Sequence, residues 1–284
     1  MSKDKERIFL WVIGVVLMGG VTIISIQAML SKPYDGIAAV AFEAEDYEVA
    51  LTLWTIDADQ GDVIAHVQIG IMYELGLGVF EDLALAAEHF QIAAELGDPI
   101  GQTRLGIMYE SGLGVGRNIQ KAAEWLTLAA EQEHLEAQIR LAGIYGGGPL
   151  AMRRPDLALL WYETAAVRGD LKSQINAGII HSTGPRGVER NPESAATWFR
   201  MAAEQGSSSA QYSLGTLLEN QTAASKSNIE AYAWFRVAKA QGHYRAGRRI
   251  NSLENRLSPE NLVVAQAMSE EFWKSFVAPF LTND

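Results

Sequence analysis

Glycine-rich loops and a short acidic cluster are the segments whose residue types could bind a phosphate or a metal ion. The sequence Gly-Leu-Gly-Val occurs at residues 76–79 and again at residues 112–115. Glycines that bind phosphate follow a strand and lead into a helix, but a helical pattern precedes these loops and the loops recur along the chain. The acidic cluster at residues 57–62 lacks the alternating ligands and the glutamate at position twelve of a calcium loop. We therefore interpret both kinds of segment as structural.

No set of residues in this sequence has the spacing of a catalytic or metal site. No two of the five histidines have the sequence spacing that is typical of metal ligands. No serine lies in a Gly-x-Ser-x-Gly turn. Cysteine is absent, which excludes a disulfide, a thiolate metal site and a cysteine nucleophile. No two of the 34 acidic residues stand out as a general acid and base. The sequence predicts a protein that is not an enzyme and that uses no cofactor or metal.

The chain is acidic overall, with a net charge of −11, but one segment near its C-terminus is basic. No lysine or arginine occurs between Lys32 and Arg104, and this acidity argues against nucleic acid as a partner, because backbone phosphates require basic surface. Residues 236–256 carry one acid, Glu254, and six basic residues. The six are Arg236, Lys239, Arg245, Arg248, Arg249 and Arg256. They form either a solvated helix face or a surface for an acidic protein partner or an anionic envelope polymer.

The elements that position these residues repeat about every 36 residues. The repeat is marked by an alanine, which recurs at Ala50, Ala86, Ala122, Ala158, Ala195 and Ala231. A glycine follows eleven residues after each alanine except once, where Glu133 takes its place. A fixed period of this size is typical of stacked supersecondary units. The predicted fold is therefore an all-α solenoid of helix pairs.

Each unit contains two helices with different signatures. The second helix combines the recurrent alanine with an aromatic residue and an Ala-Ala step on one face, as at Trp125 and Ala129-Ala130, so we assign this stripe to the core. The first helix carries Leu-Gly and, four residues after the leucine, a tyrosine, as at Leu105 and Tyr109. Three polar residues stand where an N-cap for the following helix is expected. They are Asp82, Asn118 and Asn191.

These motifs resemble the Sel1-like repeat, a relative of the tetratricopeptide repeat, over roughly residues 47–246. The resemblance implies a right-handed α-solenoid of antiparallel helix pairs that acts as an adaptor or assembly scaffold. Three positions depart from the pattern: Glu133 replaces a glycine, His181 replaces a tyrosine, and residues 219–221 replace the glycine loop. Ser258 and Pro259 predict the start of a last helix that closes the core.

The first helices also carry a mostly apolar set of residues on the face that we expect to line the concave surface. Taking the alanine that opens the helix as position zero, these residues occupy positions two and six. They are Val67 and Ile71, Thr103 and Ile107, Ile139 and Gly143, Ile175 and Ile179, and Tyr212 and Thr216. The set either packs between adjacent first helices or forms a hydrophobic groove for a partner helix or peptide.

The N-terminus predicts a membrane anchor. Residues 8–30 form an apolar run whose length of 23 residues would span roughly 34 Å as a helix. The alternative, a cleaved signal peptide, has a shorter apolar region and a better exit site. Lys3, Lys5 and Arg7 place the N-terminus in the cytoplasm and the repeats on the other side, which is the periplasm of a Gram-negative cell.

The sequence thus predicts four segments: a cytoplasmic N-terminus at 1–7, a transmembrane anchor at 8–30, a solenoid at 31–257, and a capping helix with a tail at 258–284. The predicted function is a single-pass inner-membrane scaffold that binds partner proteins in the cell envelope. Two alternatives remain open. One is an accessory subunit of a motor, secretion or redox complex, and the other is a cell-wall-binding or hydrolytic envelope protein.

Overall fold

A computed structural model of the chain describes residues 35–221 and 225–281, and every regular element in these ranges is helical. The predicted anchor at residues 8–30 lies outside the described residues, so its prediction stays open. Among the helices that are described, none is both long enough and apolar enough to cross a bilayer.

The described helices number fifteen, and most contain 12 to 14 residues. A 3-10 turn, Leu150–Met152, precedes the helix that begins at Pro155. The helices are α1 (Asp35–Glu43), α2 (Tyr47–Ala58), α3 (Val63–Leu75), α4 (Leu83–Glu95), α5 (Pro99–Ser111), α6 (Ile119–Glu131), α7 (Leu135–Gly147), α8 (Pro155–Val167), α9 (Leu171–Thr183), α10 (Pro192–Glu204), α11 (Ser208–Gln221), α12 (Ser225–Ala240), α13 (Ala246–Glu254), α14 (Pro259–Phe276) and α15 (Ala278–Leu281).

The chain divides into two compact units, with the boundary between Ala137 and Gln138 near the start of α7. In the first unit each helix from α1 to α5 packs against the next one along the chain. In the second unit α8 to α13 pack in the same sequential way, and α14 returns to pack against α12. Both units therefore consist of the predicted helix pairs, with first helices α3, α5, α7, α9 and α11 and second helices α4, α6, α8, α10 and α12.

Helix ends follow the predicted capping chemistry. The side chains of Asn118 and Asn191 accept hydrogen bonds from the backbone N–H groups three residues later, both at 3.0 Å, and Asp82 caps α4 in the same way. Gly112 ends α5 in the left-handed conformation that glycine adopts without strain. Glu133, the one substitute in the glycine column, keeps that geometry at φ 62°. The substitution therefore leaves the turn intact.

The Leu-Gly motif of the first helix is explained by the aromatic residue of the second. A Cβ atom added to Gly178 would lie 2.6 Å from the ring of Phe199, and one added to Gly70 would lie 2.6 Å from the ring of Phe90. Both rings are buried. In these two helix pairs the glycine therefore lets the aromatic ring rest directly on the backbone of the first helix, whereas Gly106 lies against the side chain of Leu126 instead.

Helix α14 covers the end of the second unit's core. Ser258 caps it through a hydrogen bond from the backbone N–H of Asn261, and Pro259 occupies its first turn, as predicted. The ring of Phe272 stacks on the buried Trp234 with centroids 4.2 Å apart, and Phe276 lies beside them. Trp234 is thus enclosed by the last long helix.

Candidate functional site

The predicted groove residues of the first unit are mostly buried. Val67 and Thr103 are 3% and 1% exposed, and Ile71 and Ile107 are half-buried. Ile71 packs against the core cluster around Phe90 in the adjoining helices. In this unit the apolar set therefore serves largely to pack neighbouring helices, the first of the two interpretations offered by the sequence.

In the second unit the same positions are more open. Ile139 and Ile175 are half-buried, and Ile179 is 45% exposed. Tyr212 is also half-buried and packs against the core cluster around Phe235. The structure thus leaves an accessible apolar surface on the first helices of this unit, and binding of a partner there stays a prediction.

The predicted basic patch separates into three groups. Arg249 and Arg256 donate to the same carboxylate, that of Glu219, at 3.1 and 2.9 Å. Arg236 lines a separate cavity of about 290 Å³ beside α14. The remaining basic residues, among them Arg245 and Arg248, are exposed. The charges therefore do not act as one uniform face.

One member of the predicted groove meets the basic patch. Tyr212 lines a cavity of about 260 Å³ together with Tyr244 and three arginines, which are Arg245, Arg248 and Arg249. His243 stacks on the Tyr212 ring with centroids 4.3 Å apart. The hydroxyl of Tyr212 accepts a hydrogen bond from Arg249 and raises the pKa of that guanidinium, with the Glu219 carboxylate adding to the effect. Two features that the sequence suggested separately are therefore adjacent.

Two histidines that look unrelated in sequence form a pair in the structure. The Nδ1 atoms of His66 on α3 and His89 on α4 lie 3.1 Å apart, and Tyr73 stacks on the His89 ring. Burial lowers the pKa of both imidazoles, and the charge of His66 lowers that of His89 further. The pair is therefore suited to one neutral hydrogen bond between helices. Among the described residues no group of three histidine, aspartate or glutamate side chains converges in a way that could hold a metal.

The departure at His181 also has a specific partner. Its Nε2 atom lies 2.8 Å from the Glu163 carboxylate, which also accepts a longer hydrogen bond of 3.4 Å from the Trp198 indole. A cavity of about 940 Å³ opens beside His181. The histidine thus links α8 with α9, and the carboxylate joins both of them to α10.

Sequence reasoning overlooked a column of glutamines that joins successive helices. In the first unit Gln102 donates to the carbonyl of Ala94 at 3.2 Å, and Gln132 donates to Gln102 at 2.9 Å and to the carbonyl of Gly97 at 3.1 Å. The second unit repeats the arrangement with Gln174 and Gln205, and again with Gln211 and Gln241. The signal was present, because glutamine occupies position one of the first helix at 102, 138, 174 and 211.

Comparisons with known proteins agree with this architecture. The Sel1 repeat model matches five consecutive segments, which are residues 63–98, 99–134, 135–170, 171–207 and 208–243. No curated protein matches the chain significantly.

Two solved structures share the fold over most of the chain. A Sel1 repeat protein from Oxalobacter formigenes is 26% identical, with a TM-score of 0.61 over 84% of this chain and 97% of that one. A protective antigen present in uropathogenic Escherichia coli strains is 24% identical, with a TM-score of 0.61 over 87% of this chain and 69% of that one. The all-helical solenoid class and the repeat motifs thus agree, and the chain belongs to the Sel1 repeat family.

Proposed function

We propose that this protein is a membrane-anchored, non-enzymatic scaffold that binds partner proteins in the cell envelope. Membership of the Sel1 repeat family supports a role in protein–protein interaction. The observation that carries the proposal is the accessible apolar surface on the first helices of the second unit, where Ile179 is 45% exposed between half-buried isoleucines. Apolar surface at recurrent helix positions fits the side chains of a partner helix or peptide.

The anchor gives the scaffold its place in the cell. The apolar run at residues 8–30 and the preceding Lys3, Lys5 and Arg7 support a single span with the repeats on the periplasmic side. Tethering to the bilayer raises the effective concentration of the repeats near membrane partners. If the protein is instead a permanent accessory subunit of one membrane complex, it should co-purify stably with the other subunits of that complex.

The test is capture of partners by the full-length protein in native membranes. A photo-crosslinking side chain at Ser182, which follows Ile179 by three residues, is expected to capture one or a few proteins. Replacing Ile139 and Ile175 by aspartate should abolish the capture, because a charge on an apolar contact surface is costly to desolvate. The single variant Ile179→Asp, at a more exposed position, should weaken it without risk to the fold.

A matched control carries the same charges elsewhere. Leu160 and Val263 are exposed apolar residues on α8 and α14, and their replacement by aspartate should leave capture unchanged. Circular dichroism establishes that each variant is folded. Capture that persists in both folded groove variants would show that this surface does not bind the partner.

A further inference from the structure

The cavity between Tyr212 and the first turn of α13 has the composition of an anion site. It is lined by two tyrosines and three arginines and measures about 260 Å³, room for one or two side chains. Tyr244 forms its outer wall and is 79% exposed, whereas Tyr212 forms the inner wall and is packed against Phe235 and His243. The cavity therefore has one wall fixed by the core and one wall open to an entering chain.

The positive charge in this cavity exceeds the negative charge. Glu219, whose side chain is 6% exposed, is the carboxylate shared by Arg249 and Arg256. Arg245 and Arg248 have no carboxylate within 4.0 Å in the part of the chain that the structure describes, and Arg245 instead lies over the Tyr244 ring at 5.1 Å from its centroid. Two guanidinium groups are thus available to an external anion.

The position of these arginines in their helix is opposite to what the helix alone favours. Arg245 is the N-cap residue of α13, Arg248 and Arg249 lie in or next to its first turn, and that turn contains no acidic residue. The N-terminus of a helix carries a partial positive charge, so cations there repel it. A sequence that breaks such a local rule commonly does so at a functional position. A bound anion would remove the repulsion from both the helix end and the neighbouring guanidinium groups.

We propose that this cavity binds an acidic side chain from an extended segment of a partner protein. The carboxylate lies between Arg245 and Arg248, whose planar groups can each donate two hydrogen bonds to it, and the aliphatic stem of the partner residue packs between the two tyrosine rings. The inference rests on the proposed scaffold function and names the chemistry of the segment that the scaffold recognises.

A protein segment fits this cavity better than a nucleic acid or a membrane does. A nucleic acid needs several phosphates neutralised along its length, but the chain has a net charge of −11 and Glu219 already occupies two of the arginines. Attraction to an anionic bilayer relies on larger clusters of basic residues on an exposed face. Here the two available arginines border a small concave site with aromatic walls.

The experiment measures binding of a fluorescein-labelled hexaglutamate peptide to the purified full-length protein in a neutral detergent, by fluorescence anisotropy. The Arg245→Gln/Arg248→Gln double variant should bind at least about tenfold more weakly, because both charge-assisted contacts are lost. The matched control Lys172→Gln/Arg186→Gln removes two exposed positive charges from the same unit and should change the affinity by less than about twofold. Tyr244→Ala should weaken binding through loss of the outer wall alone.

Equal weakening by the cavity variant and the control variant would indicate attraction to the general charge and would overturn the proposal. The same conclusion follows if the cavity variant binds the peptide as the parent does. Two alternative probes are tested separately: vesicles that contain phosphatidylglycerol, and inorganic phosphate in solution. If either one depends on Arg245 and Arg248 while hexaglutamate does not bind, the ligand is not an acidic peptide and the proposal fails.

Failure of this inference can be told apart from failure of the scaffold function. If partner capture in membranes is insensitive to Arg245→Gln/Arg248→Gln, the scaffold function is supported and recognition of an acidic segment is contradicted. If the peptide binds at the cavity but the protein captures no partner, the cavity chemistry is supported and the scaffold function is contradicted.

Discussion

At the scale of single residues, the most informative position is the one that departs from the glutamine column. His66 occupies the place that glutamine takes at 102, 138, 174 and 211, and Leu96 stands where Gln132 would be in the following repeat. Both members of the glutamine pair, the equivalents of Gln102 and Gln132, are therefore missing from this repeat. His66 forms a hydrogen bond with His89 instead. The exchange replaces an interaction that is insensitive to pH with one between two titratable groups.

The histidine pair predicts a loss of stability on mild acidification. Burial lowers the pKa of His66 and His89, although Asp62 and Asp59 oppose the shift at His66 and Glu88 opposes it at His89. Since the folded pKa values lie below the unfolded value of 6.5, the unfolded chain binds more protons as the pH falls below 6.5. The stabilisation is therefore complete above pH 6.5 and is lost below it.

The measurement is the thermal unfolding midpoint of the parent and of His66→Gln at about pH 7.5 and about pH 5.5, a range in which histidine titrates. The midpoint of the parent should fall further than that of the variant, whose new glutamine can reach the carbonyl of Ala58 as Gln102 reaches that of Ala94. Titratable groups away from the pair contribute equally to both proteins, so the difference reports the loss of His66 and of its interactions with His89 and the neighbouring carboxylates. An identical decrease in the two proteins would contradict the interpretation.

Local capping and core positions could be predicted from sequence, whereas contacts between side chains of different helices could not. Asp82 and Asn118 were recognised because the chemistry of an N-cap depends on a few neighbouring residues. His66 and His89 are separated by 23 residues, and their meeting depends on how α3 and α4 are rotated against each other. Rules for the sequence spacing of metal ligands or of residues on one helix face do not predict a contact between side chains of two different helices.

At the scale of the helix pair, glycine has opposite roles at two neighbouring positions. Gly178 in α9 lies against the ring of Phe199, whereas a Cβ atom at Gly143 in α7 would meet nothing within 4 Å. The first glycine therefore creates space for packing, and the second only weakens its helix. The register of the repeat distinguishes them, because Gly178 occupies the Leu-Gly position that faces the second helix, whereas Gly143 occupies position six on the opposite face.

These two glycines give a matched pair of substitutions. Gly178→Ala should lower the free energy of unfolding by about 1–3 kcal/mol, because the added methyl group overpacks a buried aromatic contact. Gly143→Ala should raise it by up to about 1 kcal/mol, since alanine has the higher helix propensity. Urea denaturation followed by circular dichroism measures both values, and destabilisation by Gly143→Ala or tolerance of Gly178→Ala would show that the packing is different.

At the scale of the whole molecule, the repeat period predicted the fold class well. The sequence resemblance covered roughly residues 47–246, and the family model matches residues 63–243. The departures at residues 219–221 proved local, because α11 simply continues to Gln221. The groove was less predictable, since a single face of the first helix is buried at Thr103 and open at Ile179.

The distribution of charge predicts a difference between the two units in their response to salt. Helices α2 to α4 lie in a stretch without lysine or arginine, so like charges repel one another there. Raising the salt from about 0.01 M to about 0.1 M shortens the screening length from about 30 Å to about 10 Å. Amide hydrogen exchange should therefore slow in α2 to α4 and change less in α10 to α12, where both signs occur. A uniform response in the two units would contradict this prediction.

The glutamine column also gives the repeats a direction. Gln102 and Gln132 complete the hydrogen bonding of carbonyl groups at the end of α4, which belongs to the repeat before them, and Gln174 and Gln205 do the same for the end of α8. Helix-terminal carbonyls have no partner within their own helix. The second helix of these repeats therefore acquires these side-chain partners only when the following repeat packs against it, so an array shortened after a second helix would leave the last carbonyl groups of that helix without them.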